Sequence, residues 1–261
     1  MPPSVIALAV TPVKGTRLQP VQSLELTRTG ARGNREFFVI DERDRMVNGK
    51  HVGELQQIVA SFTPPHLRLR FPDGTEISDA VQLGEPVSAR FYSRSVEGRL
   101  LLGPFSEAIS ELAGRRLRLV HANGAVDRGA RGAVTLISRA SLEALAAAAS
   151  VDEVDGRRFR MLLEVEGLSP HEEDEWVGHS ARIGSSALVR FRGHVGRCLV
   201  TSRDPESGDI DLPTLDILRD YRGSAETTEA LPFGIYGEVL EPGVVYVGDV
   251  VRELQTLRGT H

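Results

Sequence analysis

The sequence predicts a mainly β chain of the α+β class, and two observations support this prediction. Many short apolar or alternating stretches are each closed by a turn, which is typical of a barrel or a sandwich. Residues 67–71, for example, alternate apolar and basic side chains, and a strong turn signal follows at residues 72–75 (Pro-Asp-Gly-Thr). In contrast, only a few short stretches carry the spacing of an amphipathic helix.

Strands and one helix account for the first half of the chain. The helix is predicted over residues 104–113, where Phe105, Ile109 and Leu112 share one face. Pro104 suits the start of this helix and Gly114 suits its end. The strand candidates are residues 5–10, 36–41, 67–71 with a hairpin return at 76–77, 87–91, 98–102 and 116–121.

A stretch rich in glycine and charge, residues 124–132, predicts a boundary between two domains, 1–122 and 123–261. In the second domain Ser138 is predicted to cap a helix over residues 139–149. The last strand is a candidate to pack back on the first domain. The other elements predicted here are strands at 133–137 and 158–165, a hairpin at 180–191, a helix at 213–221, and a closing strand pair at 234–240 and 244–254.

Composition sets limits on the function. The 261 residues carry a net charge of −5, 41% hydrophobic residues and a single cysteine. No basic block is present, so nucleic acid is not an expected partner. No apolar run has the length of a membrane span and the start of the chain lacks a signal pattern, so we expect no membrane association and a cytoplasmic location.

The single cysteine, Cys198, is the most informative residue. It cannot form a disulfide within the chain, so it is a small core residue, a nucleophile or a metal ligand. The neighbouring Arg197 carries a permanent positive charge, which favours the thiolate. Asp204, six residues after Cys198, either forms an Asx turn before Pro205 or lies beside a cofactor.

Several motifs, in order along the chain, resemble the MOSC family, including its N-terminal β-barrel domain. In the first half they are Thr11-Pro12-Val13-Lys14-Gly15, Gly33-Asn34-Arg35-Glu36-Phe37 and Val39-Ile40-Asp41. In the second half they are Phe159-Arg160, Glu173-Asp174-Glu175-Trp176, Arg197-Cys198-x-x-Thr201, Asp204-Pro205-Glu206-x-Gly208, Phe233-Gly234 and Gly243-x-x-x-x-Gly248-Asp249.

The resemblance implies a small N-terminal β-barrel-like domain followed by a MOSC β-barrel domain with a few short helices. It implies a molybdenum cofactor (molybdopterin with molybdenum) that reduces N-hydroxylated small molecules, with a separate reductase or ferredoxin-like protein as electron donor. Cys198 is the implied metal ligand and catalytic residue. Pyridoxal phosphate binding is a further association at the level of the family only. The implied cofactor-binding residues are Lys14, Arg35, Ser138, Arg160, Gly196, Arg197 and Cys198.

The chemistry of these residues agrees with the resemblance. A soft thiolate suits a metal centre that already has sulfur ligands. Arginine binds a phosphate bidentately and lysine binds it as a point charge. Arg160 lies in an apolar run, so its charge needs an anionic partner. Four positions depart from the amidoxime-reducing members of the family, namely Thr11, Gly15, Lys50 and Leu162.

Two other functions remain open from the residues. Cys198 is also suited to carry a persulfide, whose anion Arg197 would stabilise. Alternatively, the chain binds the pterin cofactor without turnover.

Overall fold

The computed structural model of the protein describes residues 2–124, 126 and 129–254. These residues form many short strands, three α-helices and several 3-10 helices, which confirms the predicted mainly β, α+β class. The helices are α1 (Phe105–Ala113), α2 (Arg139–Ala149) and α3 (Thr214–Arg222). The strands are β1 (Ser4–Val10), β2 (Gln19–Val21), β3 (Ser23–Thr27), β4 (Gly30–Ala31), β5 (Phe37–Ile40), β6 (Met46–Val47), β7 (Val59–Thr63), β8 (His66–Arg70), β9 (Glu76–Ala80), β10 (Leu83–Phe91), β11 (Arg94–Leu101), β12 (Arg118–Ala122), β13 (Val134–Ser138), β14 (Leu163–Glu166), β15 (Ser180–Ile183), β16 (Ala187–Gly196), β17 (Pro232–Glu241), β18 (Gly243–Tyr246) and β19 (Val251–Leu254).

An eight-stranded sheet contains most strands of the second half, in the order β19-β15-β16-β17-β13-β14-β1-β2. Strands β13 and β14 are parallel, and the other neighbours in this sheet are antiparallel. The first strand, β1, pairs with β14, with Leu8 opposite Leu163. Strand pairing therefore crosses residue 122, where the sequence predicts a domain boundary, and the boundary itself stays a prediction.

Apart from β1 and β2, the strands of the first half lie in three smaller sheets, one of which, β18-β3-β4, also contains a strand of the second half. Strands β10-β11-β12-β5-β6 form a five-stranded sheet, and β7-β8-β9 form a three-stranded one. Strand β8 shows the alternation that the sequence predicts, because Leu67 and Leu69 are fully buried while His66, Arg68 and Arg70 are exposed. Helix α1 buries Phe105 and Ile109 in the same core, and Gly114 ends it in the left-handed conformation.

The sequence predicts that residues 234–240 and 244–254 pair with each other, and this pairing is wrong, because β17 pairs with β13 and β16 instead. A turn divides residues 244–254, because Gly248 adopts φ +94° and the Asp249 carboxylate accepts a hydrogen bond from the backbone N–H of Tyr246 (2.8 Å). Strand β18 pairs with β3 of the first half, whereas β19 pairs with β15. The end of the chain thus contacts both halves.

The predicted strand over residues 158–165 begins later than expected. Asp155 accepts a hydrogen bond from the backbone N–H of Arg157 (2.8 Å) and caps a 3-10 helix, Gly156–Phe159. Arg160 then adopts φ +54°, and β14 begins only at Leu163. Residues 124–132, predicted as a boundary or mobile loop, include positions 125, 127 and 128, which lie outside the described residues.

The turn after Cys198 packs on the first half of the chain. Asp204 accepts hydrogen bonds from the backbone N–H groups of Glu206 (2.9 Å) and Ser207 (2.7 Å), so it forms the Asx turn that the sequence suggests. Gly208 lies against Gly53, and a Cβ atom added to Gly208 would be 2.1 Å from the carbonyl oxygen of Gly53. This contact requires glycine, because even a methyl group would collide with backbone.

We predict that Gly208→Ala destabilises the protein more than Gly74→Ala does. Both residues have positive φ, but no atom lies within 4 Å of a Cβ added to Gly74. Gly74→Ala should therefore cost about 1 kcal/mol for the backbone conformation alone. Gly208→Ala should cost about 1–3 kcal/mol more, because it also overpacks the contact with Gly53. Urea unfolding of the two variants measures this difference, and equal costs would contradict the contact.

Candidate functional site

Cys198 lies just beyond the end of a strand. Strand β16 ends at Gly196, and Cys198 has extended backbone (φ −138°, ψ 176°) directly before a 3-10 helix, Leu199–Ser202. Its carbonyl oxygen accepts hydrogen bonds from the backbone N–H and the hydroxyl of Thr201, both at 3.0 Å. The Cys198 side chain is half-buried and is not in a disulfide. The thiol thus belongs to a backbone segment that is held in place.

A cavity of about 460 Å³ contains Cys198 in its wall. Both halves of the chain contribute to the lining, and the described lining contains basic side chains but no aspartate or glutamate. Aromatic and apolar side chains, among them Tyr92, Phe159 and Met161, complete the wall. The seven basic residues of the lining are Lys14, Arg35, Lys50, Arg94, Arg158, Arg160 and Arg197.

Six of the seven site residues predicted from the sequence lie together in this wall. They are Lys14, Arg35, Arg160, Gly196, Arg197 and Cys198. They come from positions up to 184 residues apart along the chain, between 14 and 198. The fold therefore creates this concentration of positive charge in a chain whose net charge is −5.

The backbone of the Phe159-Arg160 motif is held by two arginines from different parts of the chain. The carbonyl oxygen of Phe159 accepts a hydrogen bond from Nη1 of Arg197 (2.9 Å). The carbonyl oxygen of Arg160 accepts one from Nη2 of Arg35 (2.8 Å). These bonds fix the left-handed backbone of Arg160, a conformation that costs a non-glycine residue on the order of 1 kcal/mol.

The side chain of Arg160 extends toward the first half of the chain. Its Nη2 donates to the carbonyl oxygen of Thr16 (2.6 Å), and its Nη1 lies 3.4 Å from Oε1 of Gln56. Gln56 is fully buried and donates in turn to the carbonyl oxygen of Asp204 (3.1 Å). The Arg160 guanidinium therefore contacts neutral oxygens, whereas the sequence alone suggested an anionic partner. Through Gln56, these contacts also connect Arg160 to the turn after Cys198.

Arg197 holds the backbone on both sides of the cysteine segment. Its Nε donates to the carbonyl oxygen of Phe233 (2.8 Å), and Nη2 donates to the same oxygen. The guanidinium also lies 5.1 Å from the centre of the Phe159 ring, a cation–π contact. Arg197 therefore has a structural task beside Cys198, whichever ligand the cavity takes.

Lys14 lies in a tight turn of the first half of the chain. The backbone N–H of Lys14 donates to the carbonyl oxygen of Phe37 (2.8 Å), and Gly15 follows with φ +103°. A Cβ atom at Gly15 would lie 3.4 Å from Leu55. Glycine suits this position, because a residue with a side chain would be strained at that φ.

Two other departures from the family also have structural explanations. Thr11 is fully buried, and its hydroxyl lies 2.7 Å from the hydroxyl of Thr16. Leu162 is buried in the apolar core of the eight-stranded sheet, and its backbone N–H donates to the hydroxyl of Thr135 (2.9 Å). Lys50 is exposed at the edge of the cavity.

Ser138 is not among the described residues that line the cavity. It is fully buried at the start of α2, where its hydroxyl accepts a hydrogen bond from the backbone N–H of Ser141 (3.1 Å) and donates to Glu173 (2.8 Å). The Glu173 carboxylate also accepts from the hydroxyl of Ser141 (2.7 Å). The helix N-terminus that the sequence offered as an anion site is thus covered by a carboxylate of the chain itself.

Several lining residues were not predicted. Arg158 pairs with Asp211 through two hydrogen bonds of 2.6 Å, and this contact raises the pKa of Arg158. Its position next to Phe159-Arg160 was a usable signal. Tyr92 and Arg94 lie at the tight turn between β10 and β11, and no sequence pattern indicated them.

In the described ranges 2–124, 126 and 129–254, no group of three or more histidine, cysteine, aspartate or glutamate side chains is placed to hold a metal ion. No helix within these ranges is long and apolar enough to cross a membrane.

Two family descriptions match the chain. A MOSC domain matches residues 123–252, and a MOSC N-terminal beta barrel domain matches residues 3–100. The chain therefore belongs to the MOSC family and carries its N-terminal β-barrel domain, which confirms the resemblance found in the sequence.

The relatives include proteins named for amidoxime reduction. Mitochondrial amidoxime-reducing component 1 of Danio rerio is 27% identical, over 96% of this chain and 84% of the relative. Mitochondrial amidoxime reducing component 2 of Bos taurus is 25% identical, over 96% and 83%. Molybdenum cofactor sulfurase of Caenorhabditis briggsae is 28% identical over 96% of this chain, which spans 36% of that relative. Together with the family, these relatives support a function associated with the molybdenum cofactor.

We predict that stability falls with rising pH because of Glu173. Burial raises the pKa of Glu173 above its usual value of 4.5. Between 4.5 and the raised pKa the folded state holds a proton that the unfolded state has lost, so the free energy of unfolding decreases as pH increases through this interval. Glu173→Gln should remove this dependence while keeping hydrogen bonds to Ser138 and Ser141.

Urea unfolding of the wild type and Glu173→Gln, measured from pH 4 upward, checks this prediction. The difference in unfolding free energy between the two proteins should change in favour of the variant as pH rises. A constant difference across the series would contradict it.

Proposed function

We propose that the protein is a molybdenum cofactor-dependent oxidoreductase that reduces N-hydroxylated small molecules, with Cys198 as the metal ligand. The observation that carries this proposal is the described lining of the cavity, which combines one thiol with seven basic side chains and no carboxylate. The relatives named for amidoxime reduction support the class of reaction.

The donor set fits the proposed cofactor. A thiolate is a suitable ligand for a metal that already has sulfur ligands, whereas a carboxylate-lined site would favour harder cations. The phosphate of the pterin needs cationic hydrogen-bond donors, and Lys14, Arg35 and Arg160 would supply them. Ser138 is not part of the proposed set, because its hydroxyl is bound to Glu173.

When bound, the molybdenum cofactor would supply two electrons that, together with two protons, break the N–O bond of the substrate and release the reduced nitrogen compound and water. The chain's own residues position and enclose this chemistry. Arg197 fixes the backbone on either side of Cys198 through the carbonyl groups of Phe159 and Phe233. Phe159 and Met161 line the same cavity and would form the apolar part of its wall.

The electrons must come from another protein or molecule. The chain has a single cysteine, too few to hold an iron–sulfur cluster with four thiolates, and we find no flavin-binding motif in its sequence. A separate reductase or ferredoxin-like donor is therefore part of the proposal. A cytoplasmic location and an association with pyridoxal phosphate are not needed by it and stay predictions.

One observation favours a second candidate function. The Cys198 thiol is only half-buried, and one relative of the chain is named as a molybdenum cofactor sulfurase. In this function the Cys198 thiolate would take the outer sulfur of a donor persulfide, releasing the donor as a thiolate, and would then pass that sulfur to a nucleophilic acceptor and return to the thiolate.

We predict that Cys198→Ala abolishes molybdenum binding without unfolding the chain. Protein purified from cells supplied with molybdate should contain molybdenum in the wild type and only background metal in the variant, because the sulfur ligand is lost. Ser95→Ala, at an exposed position outside the cavity, should keep the wild-type metal content. Elemental analysis measures the metal, and thermal unfolding of the apoproteins checks the fold.

Well-folded wild-type protein without molybdenum, or Cys198→Ala with full metal content, would contradict the ligand role. Intact mass spectrometry separates the second candidate. A mass increase of one sulfur atom that disappears on reduction, and that is absent from Cys198→Ala, would favour the persulfide carrier.

We also predict that Lys14→Met lowers the pterin content of the purified protein about tenfold. Loss of one charge-assisted hydrogen bond to a phosphate costs about 1.5–3 kcal/mol, which corresponds to at least a tenfold change in affinity. Arg70→Met, which removes an exposed positive charge on β8, is the matched control. Fluorescence of the oxidised pterin measures the content, and an equal loss in both variants would argue against a phosphate contact.

A further inference from the structure

A group of exposed basic residues on the first half of the chain adjoins the cavity. Two of its members, Lys50 and Arg94, are exposed and also line the cavity, so the surface begins at the wall that contains Cys198. We call this surface the basic rim, and its residues are Arg45, Lys50, His51, Arg90, Arg94 and Arg115.

Contacts show that members of the basic rim lie close together. Tyr92, with 63% of its surface exposed, lines the cavity and accepts a hydrogen bond at its hydroxyl from Asn48 (3.3 Å). Nε of Arg90 lies 3.4 Å from the carbonyl oxygen of Tyr92. Arg45 and Arg90 face each other across a β-bridge.

His51 adds an independent indication of the same grouping. Burial lowers the pKa of His51, and the positive charges of Lys50, Arg115 and Arg45 lower it further. The negative charge of Asp41 acts in the opposite direction. Three cations therefore lie close enough to His51 to disfavour a fourth positive charge.

The acidic residues nearest in sequence do not cancel this surface. Asp41 is buried and pairs with Arg45 (2.9 Å), which reduces the effect of that one arginine. Glu42 pairs with Arg116 (3.6 Å), and Asp44 pairs with Arg118 (2.6 Å). Because the whole chain has a net charge of −5, positive charge around the cavity mouth is a local excess.

We propose that the basic rim is the docking surface for an acidic one-electron carrier protein of the ferredoxin type. This inference rests on the proposed function, which requires electrons from outside the chain. The rim borders the cavity that holds Cys198, and complementary charge speeds the encounter of two proteins. An exposed tyrosine among arginines favours a protein partner, because both residue types are enriched at protein–protein interfaces.

Each docking event delivers one electron, so two reduced carriers are oxidised for every N–O bond that is broken and every water molecule released. The carrier must leave between the two events. A complex that depends on exposed charges suits this requirement, because such contacts form fast and are weakened by salt.

The test is a titration of the full chain with a plant-type [2Fe–2S] ferredoxin, an acidic probe, at low ionic strength. Arg90→Glu/Arg115→Glu reverses two exposed charges of the basic rim that do not line the cavity. We expect the dissociation constant to rise on the order of tenfold or more, and the salt dependence of binding to become weaker. Arg28→Glu/Arg70→Glu, which reverses two exposed charges outside the rim, should bind like the wild type.

Three results would overturn the docking surface: unchanged binding by the rim variant, equal weakening by the control variant, or tighter binding of basic cytochrome c than of ferredoxin. The docking surface is supported if ferredoxin binds the rim variant more weakly than the wild type and binds the control variant as tightly as the wild type. A single-stranded oligonucleotide that binds the rim more tightly than ferredoxin would assign the surface to nucleic acid instead.

Rates of substrate reduction separate this inference from the proposed function. With ferredoxin as donor, the rim variant should be about tenfold slower than the wild type, whereas reduced methyl viologen should drive both equally. Cofactor-loaded wild type that is inactive with both donors would contradict the proposed function, while the titration still decides the docking surface.

Discussion

The hydrogen bonds between arginine side chains and main-chain carbonyl groups are the interaction on which the site depends. Several arginines converge on one cavity, and their N–H groups need hydrogen-bond acceptors. Carboxylates in the wall would accept these bonds but would cancel the positive charge of the cavity. The carbonyl groups of Thr16, Phe159, Arg160 and Phe233 accept from three arginines instead. Such dipoles satisfy donors without adding negative charge, so the described lining keeps its basic character.

The use of main-chain carbonyl groups as acceptors requires an irregular backbone. For its carbonyl group to meet Arg35, Arg160 adopts a left-handed conformation, and Arg35 itself has φ +56°. Strand structure would point successive carbonyl groups to opposite sides and could not present them in this way. The cost in local conformational energy is offset by packing of both halves, including the close contact of Gly53 with Gly208.

Away from the cavity the chain satisfies its buried charges differently. Arg222 pairs with Asp174, while Glu173 is enclosed by hydroxyl groups at the start of α2. The contrast gives a physical meaning to the choice of acceptor. Arg35, Arg160 and Arg197 of the cavity wall donate to carbonyl groups, whereas the buried charges at Arg222 and Glu173 are met by a carboxylate and by hydroxyl groups.

The sequence by itself determined the mainly β class, most strands and the three helices of the described residues, because alternation and turn chemistry are local properties of the chain. Family motifs, which are also local, singled out six residues that the structure brings together in one cavity wall. The sequence could not place Ser138, since only the fold shows that Glu173, 35 residues away, occupies its hydroxyl. Nor could it assign strand partners for β1 and β18, or find Tyr92 and Arg94. Those features arise from pairing between segments that are distant in sequence, and long-range packing alone brings them to one cavity.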